Sequence, residues 1–334
     1  MKIPHPIPYQ GSKRNIAKYI LPFFQNGIDT LVEPFAGSAA LSIAAAFYGK
    51  SSHFRLNDLN GPLVSLLEEI VNAPQRITTD YEKLWVKQHN NDRQYYDWVR
   101  NEFNRTHRPD YLLYLLARCV KASVRYNPKG EFNQSPDNRR LGRHPKRMAE
   151  DIFAVSSLLR GKTIITNQDY RTVIEYSTSK DLVYLDPPYQ GVCSTGDPRY
   201  YAGIQFDELM DALIYLNVKS VPFILSYDGR TGAKKFCREL PDELKLHRIE
   251  IEAGRSSQAT LLGTDEVTYE SVYLSPVLRD RLAVCRRDLV ASGLVPAAHE
   301  GLGYFSDRLL DNLNNQLAKQ FVEDRPFQPR LITI

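Results

Sequence analysis

Cysteine is scarce in this 334-residue chain: Cys119, Cys193, Cys237 and Cys285 stand singly. Without close pairs they form neither the ligand spacing of a zinc site nor the dense framework of a disulfide-stapled secreted domain. The seven histidines show no ligand spacing either, so no metal is expected. Long apolar runs are also missing. A helix that crosses a bilayer needs about 20 apolar residues, and no stretch approaches that length. Met1-Lys2-Ile3-Pro4-His5-Pro6 lacks the apolar core of a secretory signal, and the chain is expected to be cytoplasmic. A phosphate-binding P-loop is absent as well. Gly161-Lys162-Thr163 imitates its end, but the first glycine of the pattern would fall at Ser156, which excludes ATP hydrolysis of that kind.

What is present is the composition of a folded globular protein, 43% hydrophobic and 25% charged. The net charge of +4 hides an uneven distribution. Between Arg93 and Arg147 thirteen Lys and Arg face five Asp and Glu, which leaves the rest of the chain net acidic. Tyr95, Tyr96, Trp98, Tyr111, Tyr114, Tyr126 and Phe132 interleave this basic block. A basic surface with aromatics is the electrostatic footprint of nucleic-acid binding.

The stretch with the most chemistry is Asp186-Pro187-Pro188-Tyr189, directly after the apolar run Leu182-Val183-Tyr184-Leu185. That order predicts a buried strand ending in a loop, where open α/β sheets bind ligands. Two prolines stiffen the loop and remove two N–H donors. Such a loop offers a carboxylate, a free carbonyl and an aromatic face, a match for a flat ring bearing an amino group. Asp186 and the Pro187 carbonyl would accept from the amine while Tyr189 stacks on the ring.

A methyl donor site is expected upstream. The stretch from Thr30 to Leu41 reads as a short apolar strand that turns at small residues, Gly37 among them, into a helix from Ala39 to Tyr48. A strand that turns through Gly into a helix N-terminus lets a ligand approach the backbone closely. The full G-x-G-x-x-G pattern is absent. A second strand, Phe54 to Leu56, ends at Asn57-Asp58. Asp58 stands about 20 residues beyond Gly37, the offset of an acid that holds ribose hydroxyls. Thr163 to Thr166 reads as a further strand closed by Asn167-Gln168-Asp169-Tyr170, whose acid and aromatic suit an adenine. Together these units predict an adenosine-containing cofactor.

Residues 61–159 show mostly helical periodicity and no strand of the sheet, which predicts an inserted helical domain. Within it, turn signals from Val124 to Arg147 predict a hairpin or protruding loop carrying Arg125, Asn127, Lys129, Asn133, Arg139, Arg140 and Arg143. Arg and Asn are the side chains that read guanine and adenine edges in the major groove. One helix is expected from Asn15 to Phe24 and another from Phe206 to Leu216. Pro222 to Tyr227 should be a strand ending at Asp228-Gly229. Lys245 to Ile251 and Thr268 to Leu274 should close the sheet as an antiparallel hairpin. The loop from Gln190 to Gly203, with Tyr200 and Tyr201, is expected over the bound base. Residues 279–334 read as a helical extension with an apolar stripe at Leu309, Leu310, Leu313, Leu317 and Phe321.

The order Tyr9-Gln-Gly-Ser-Lys13, Glu33-Pro-Phe-Ala-Gly-Ser38, Asn57-Asp58, Arg125 to Asn133 and Asp186 to Tyr189 resembles the Dam-type (D12 class) adenine-N6 DNA methyltransferases. The resemblance implies an α/β fold: a Rossmann-like, S-adenosylmethionine-dependent methyltransferase sheet from residues 1–60 and 160–278. It also implies a helical target-recognition domain over 61–159, whose hairpin near 124–147 enters the major groove of double-stranded DNA. Tyr9 and Lys13 would lie near the methionine part and the catalytic pocket, with Glu33, Phe35, Gly37 and Ser38 lining the cofactor. Asp58 would bind its ribose, Asp169 and Tyr170 would flank its adenine, and Asp186 would lie beside it. The chain departs from the family pattern at Tyr9, Gln10 and Ala39 and after Asn133. By this likeness the protein acts in the bacterial cytoplasm at the nucleoid, or is phage-encoded. It would work as a monomer or weak dimer, with a restriction endonuclease for the same site as its partner.

The expected reaction is direct methyl transfer to N6 of an adenine flipped out of the duplex. The local chemistry of the Asp186 loop serves an adenine or a cytosine amine equally, and the motif order selects adenine. An amino-methyltransferase of RNA or protein amides, and a silent DNA-binding relative, are the alternatives.

Overall fold

The computed structural model describes residues 2–25, 27–88, 92–188, 204–231, 234–235, 238–255 and 267–291. The chain enters through a 3-10 turn at Lys13–Asn15, a short helix α1 at Ala17–Ile20 and a second 3-10 turn at Leu21–Phe23. Sequence periodicity predicts one continuous helix here. Pro22 cannot donate to the preceding turn, so the helix breaks there. Ile16, Ile20 and Phe23 are still all buried.

Strand β1 (Thr30–Glu33), helix α2 (Ala40–Phe47) and strand β2 (His53–Asn57) follow. Five helices then precede the next strand: α3 (Gly61–Asn72), α4 (Pro74–Lys87), α5 (Asp92–Thr106), α6 (Pro109–Arg118) and α7 (Pro145–Leu159). The chain returns in β3 (Thr163–Thr166), α8 (Tyr170–Glu175), β4 (Leu182–Leu185), α9 (Phe206–Val218) and β5 (Phe223–Thr231). It ends its described course with β6 (Lys234–Lys235), β7 (His247–Arg255), β8 (Val267–Leu274) and α10 (Pro276–Ala291). The apolar stripe expected beyond residue 291 lies outside the described residues.

The strands form one sheet in the order β3-β2-β1-β4-β5-β8-β7, with β6 paired to β5 off this path. β3, β2, β1, β4 and β5 run parallel, whereas β8 is antiparallel to both β5 and β7. The predicted closing hairpin is therefore present. β1 pairs with β2 on one side and β4 on the other, so the connections reverse direction between β1 and β4. Ligands bind in the crevice at such a switch point in open α/β sheets.

All four β4 residues are buried, and they alternate between two cores. Leu182 and Tyr184 join the cluster on one face, Val183 and Leu185 the cluster on the other. Apolar residues throughout β4 are what a strand covered on both faces requires. β5 differs from expectation. It does not stop at Asp228-Gly229 but runs on through a bulge there, with Asp228 in the left-handed region at φ 67°.

The helices between β2 and β3 share one buried cluster with β1 and β2. Leu63, Leu66, Leu67 and Ile70 of α3 are at most 2% exposed, and the Ser156 hydroxyl of α7 donates to the Val71 carbonyl at 2.7 Å. Replacing Leu66 by Ala leaves a cavity between these helices and is expected to destabilise the protein by about 2–5 kcal/mol in denaturant unfolding. The predicted hairpin is shorter than its turn signals suggest. Tyr126 and Phe132 bridge antiparallel, as do Cys119 and Pro136, but Pro145 to Arg147 already belong to α7. Pro at the first helical turn is favourable because its missing N–H has no partner there anyway.

No helix among the described residues is long and apolar enough to cross a membrane.

Candidate active site

Two loops face each other across the switch point. The first leaves β1 at Glu33 and runs through Pro34 to Ala39 into α2. Gly37 and Ala39 both take positive φ, 51° and 53°. A Cβ on Gly37 would meet the Tyr9 ring at 3.3 Å, so both the backbone conformation and the close packing favour Gly there. The Asp58 carboxylate, at the end of β2, accepts from the Gly37 N–H at 2.9 Å and from the Asn60 N–H at 2.9 Å. It therefore clamps the glycine turn to the next strand. Burial raises the Asp58 carboxyl, and the backbone hydrogen bonds oppose the shift.

Neighbouring side chains complete the wall. Glu33 is buried and accepts from the Ser42 N–H at 2.8 Å. Burial lifts its carboxyl to about 7 against that hydrogen bond. Ser38 donates its hydroxyl to Ser12 at 3.0 Å. Phe35 packs on Tyr170 with ring centres 4.9 Å apart. Asp169 caps α8 by accepting from the Arg171 N–H, and its carboxylate also pairs with the Arg171 guanidinium at 2.8 Å.

The second loop leaves β4 at Asp186. Lys13 is buried and holds Asp186 Oδ1 at 3.1 Å and Glu270 Oε2 of β8 at 3.1 Å. Burial raises the Asp186 carboxyl to about 6; the Lys13 ammonium opposes this and Glu270 adds to it. Beneath them the Tyr184 and Ser226 hydroxyls share a hydrogen bond of 2.8 Å.

Tyr9, Lys13, Glu33, Phe35, Gly37, Ser38, Asp58, Asp169, Tyr170, Asp186, Pro187 and Pro188 all line a single cleft. These residues come from segments as far apart as positions 9 and 188. Tyr189, Tyr200 and Tyr201 lie outside the described residues.

The hairpin rises beside this cleft. Val124 at its root lines the cleft, and the Gln10 N–H donates to the Ala122 carbonyl at 2.9 Å. Arg125, Lys129 and Asn133 are exposed on it. Asn127 shapes its turn: Oδ1 accepts from the Lys129 and Glu131 N–H groups, and Nδ2 donates to Glu131 Oε2. Arg139 and Arg140 both pair with the buried Asp137 carboxylate, at 3.1 and 2.8 Å. Arg143 donates to the His5 carbonyl and pairs with Asp151, tying the N-terminal segment to α7.

Three residues of the site make contacts that the sequence reading did not assign. Buried Asn57 donates to the Pro34 and Gln168 carbonyls, joining the ends of β1 and β3. Asn60 accepts from the Leu63 N–H and from the Tyr126 hydroxyl, so it caps α3 and meets the hairpin. Its place just before Gly61-Pro62 is a helix-start signature. Glu270 shares the strand parity of Val272 and Leu274, which are buried. An acid on an inward-facing parity is the signal that marks it.

The family model of D12 class N6 adenine-specific DNA methyltransferases matches residues 9–256. The type II methyltransferase M.CviBI of Paramecium bursaria Chlorella virus NC1A is 28% identical over 274 residues, covering 75% of this chain and 93% of that protein. A DNA adenine methylase of Haemophilus influenzae is 23% identical over 261 residues, or 75% of this chain and 87% of the relative. The DNA adenine methylase of Serratia marcescens is 27% identical over 179 residues, 52% of this chain and 62% of the relative. The matched stretch begins at the cleft residue Tyr9 and runs through β7, taking in the switch point and the helices between β2 and β3. The chain therefore belongs to the D12 class of N6 adenine-specific DNA methyltransferases.

Proposed function

We propose that the cleft holds S-adenosylmethionine against the Gly37 turn and admits an adenine, extruded from duplex DNA, to the Asp186 loop. The observation that carries this reading is the Asp186 carboxylate, held by Lys13 in the same cleft as the Gly37 turn. The cleft suits an adenosine-bearing ligand on its own features. The Gly37 turn is bare backbone at positive φ. Beside it Tyr170 is 7% exposed, and its hydroxyl has no hydrogen-bond partner among the described residues. Buried hydroxyls are rarely left unpaired, so a ligand's polar edge fits there. Asp58 lies across the turn as an acceptor for ribose hydroxyls, while Phe35 and Tyr170 form an apolar wall.

When bound, S-adenosylmethionine supplies an electrophilic methyl group on sulfur. The protein's own part is to position the amine and stabilise the charge that grows on it. The N6 lone pair is delocalised into the ring. Asp186 and the Pro187 carbonyl accept the two N6 hydrogens, drawing the amine towards a tetrahedral shape and stabilising positive charge on nitrogen. Tyr189, next in the sequence, is assigned the stacking contact that offsets the few kcal/mol of flipping. The helices α3 to α7 form the target-recognition region, with Arg125, Lys129 and Asn133 of the hairpin reaching the duplex. A restriction endonuclease acting on the same site is the proposed partner, on the likeness to relatives named type II methyltransferases.

Gly37→Val tests the donor half of this reading. A β-branched residue is strained at φ 51° and pushes on Tyr9. Calorimetric titration with S-adenosylmethionine should show affinity weakened at least about tenfold, while duplex DNA binding by gel shift stays within a few-fold. Wild-type donor affinity in this variant would place the donor elsewhere.

A further inference from the structure

Lys13 does not pair with Asp186 alone. Its ammonium lies 3.1 Å from Asp186 Oδ1 and 3.1 Å from Glu270 Oε2. The second carboxylate arrives from 84 positions along the chain because β8 is antiparallel to the strands beside it. The first residues of β8 therefore lie at the sheet edge where β4 ends. Glu270 stands opposite Gly229, directly beyond the β5 bulge, where two β8 steps span three β5 residues.

We infer that Glu270 is a positioning residue for methyl transfer: it shares the Lys13 ammonium with Asp186, so that the ammonium does not fully neutralise the carboxylate that meets the amine. The inference rests on the proposed role of Asp186. A Lys13–Asp186 pair alone is neutral, and the ammonium would compete with the N6 hydrogens for the carboxylate. With Glu270 present, the ammonium is divided between two carboxylates. Asp186 then keeps more of its charge to complement the positive charge that develops on nitrogen as the methyl group transfers. The N6 lone pair forms the carbon–nitrogen bond as the carbon–sulfur bond breaks, its electron pair stays on the sulfur of the departing thioether product, and the extra proton on N6 is then released to water. A carboxylate only partly neutralised by Lys13 stabilises that cationic nitrogen.

Among the described residues, the charged and titratable groups that act on Asp186 are Lys13 from the N-terminal segment, Glu270 from β8, Glu33 from β1 and Tyr184 from β4. Of these, Glu270 pushes the Asp186 carboxyl upward and Lys13 pushes it downward. Removing Glu270 therefore lowers it, and the acid limb of turnover should follow.

The test is single-turnover methylation of duplex DNA across pH by Glu270→Gln and Glu270→Asp, with thermal unfolding as a check on the fold. Glu270→Gln should lose on the order of tenfold in maximal rate and shift its acid limb to lower pH, with KM for DNA unchanged. Glu270→Asp keeps the charge and should restore the limb and part of the rate. A folded Gln variant with wild-type rate and an unmoved limb would overturn the inference, as would a rate loss with no movement of the limb. If either result came with an inactive Asp186→Ala, the role of Asp186 would stand and only that of Glu270 would fall. Turnover by Asp186→Ala would instead remove the reading on which the inference rests.

Discussion

Asp186→Ala is expected to abolish methyl transfer while leaving donor and DNA binding within a few-fold of the native protein. The carboxylate is the group that pulls on the amine, and no neighbour replaces it. Glu270 stays paired with Lys13, and Glu33 is held by the Ser42 N–H. Losing a charged group aimed at developing charge costs about 10²–10³ in rate. The loss should therefore approach about a thousandfold. Fold and cleft should survive, because Asp186 lies at a strand end with 20% of its side chain exposed. Rapid-quench methylation separates the rate from binding. A variant that binds both ligands and still turns over within tenfold of native would refute the assignment.

Lys13→Met should produce the second large effect, with a signature in pH. Asp186 carries the negative charge that the developing cation needs only as a carboxylate, so the native rate should fall with one proton as pH drops below about 6. Burial raises that carboxyl and Lys13 lowers it. Without the ammonium the opposing influence is gone, so the carboxyl rises further and the acid limb moves to higher pH. At pH 7 the variant should lose on the order of a hundredfold in rate, recovering part of it at about pH 9. Loss without recovery would mean that Lys13 acts other than through the charge of Asp186. The Lys13 and Glu270 variants thus move the limb in opposite directions, which a general loss of structure would not do.

Much of the fold was legible because its signals are local. Leu182 to Leu185 are apolar without alternation because β4 is covered on both faces, and Gly37 marks a turn at positive φ. The helical insert showed in the periodicity of Leu63, Leu66, Leu67 and Ile70, one face of α3. Errors came where a local signal had a second meaning. Asp228-Gly229 reads as a strand end but is a bulge, since turn residues also serve inside a strand that must twist. Asn15 to Phe24 has helical burial but breaks at Pro22, because burial spacing alone does not report a missing N–H.

The candidate site divides along the same line. Its carboxylate loop, glycine turn and the acid after β2 could be named from the sequence, since each stands at a strand end marked by Pro, Gly or Asn-Asp. What each one touches could not. Asp58 clamps the Gly37 N–H, Arg139 and Arg140 close on Asp137, and Lys13 joins β4 to β8. These contacts depend on strand order and register. Those are set by burial over the whole sheet, and the spacing of residues along the chain carries no record of them. The Asp-Pro-Pro-Tyr loop is written in four adjacent residues, whereas its acidity is set by burial and by the charges of Lys13 and Glu270, which the fold brings beside it.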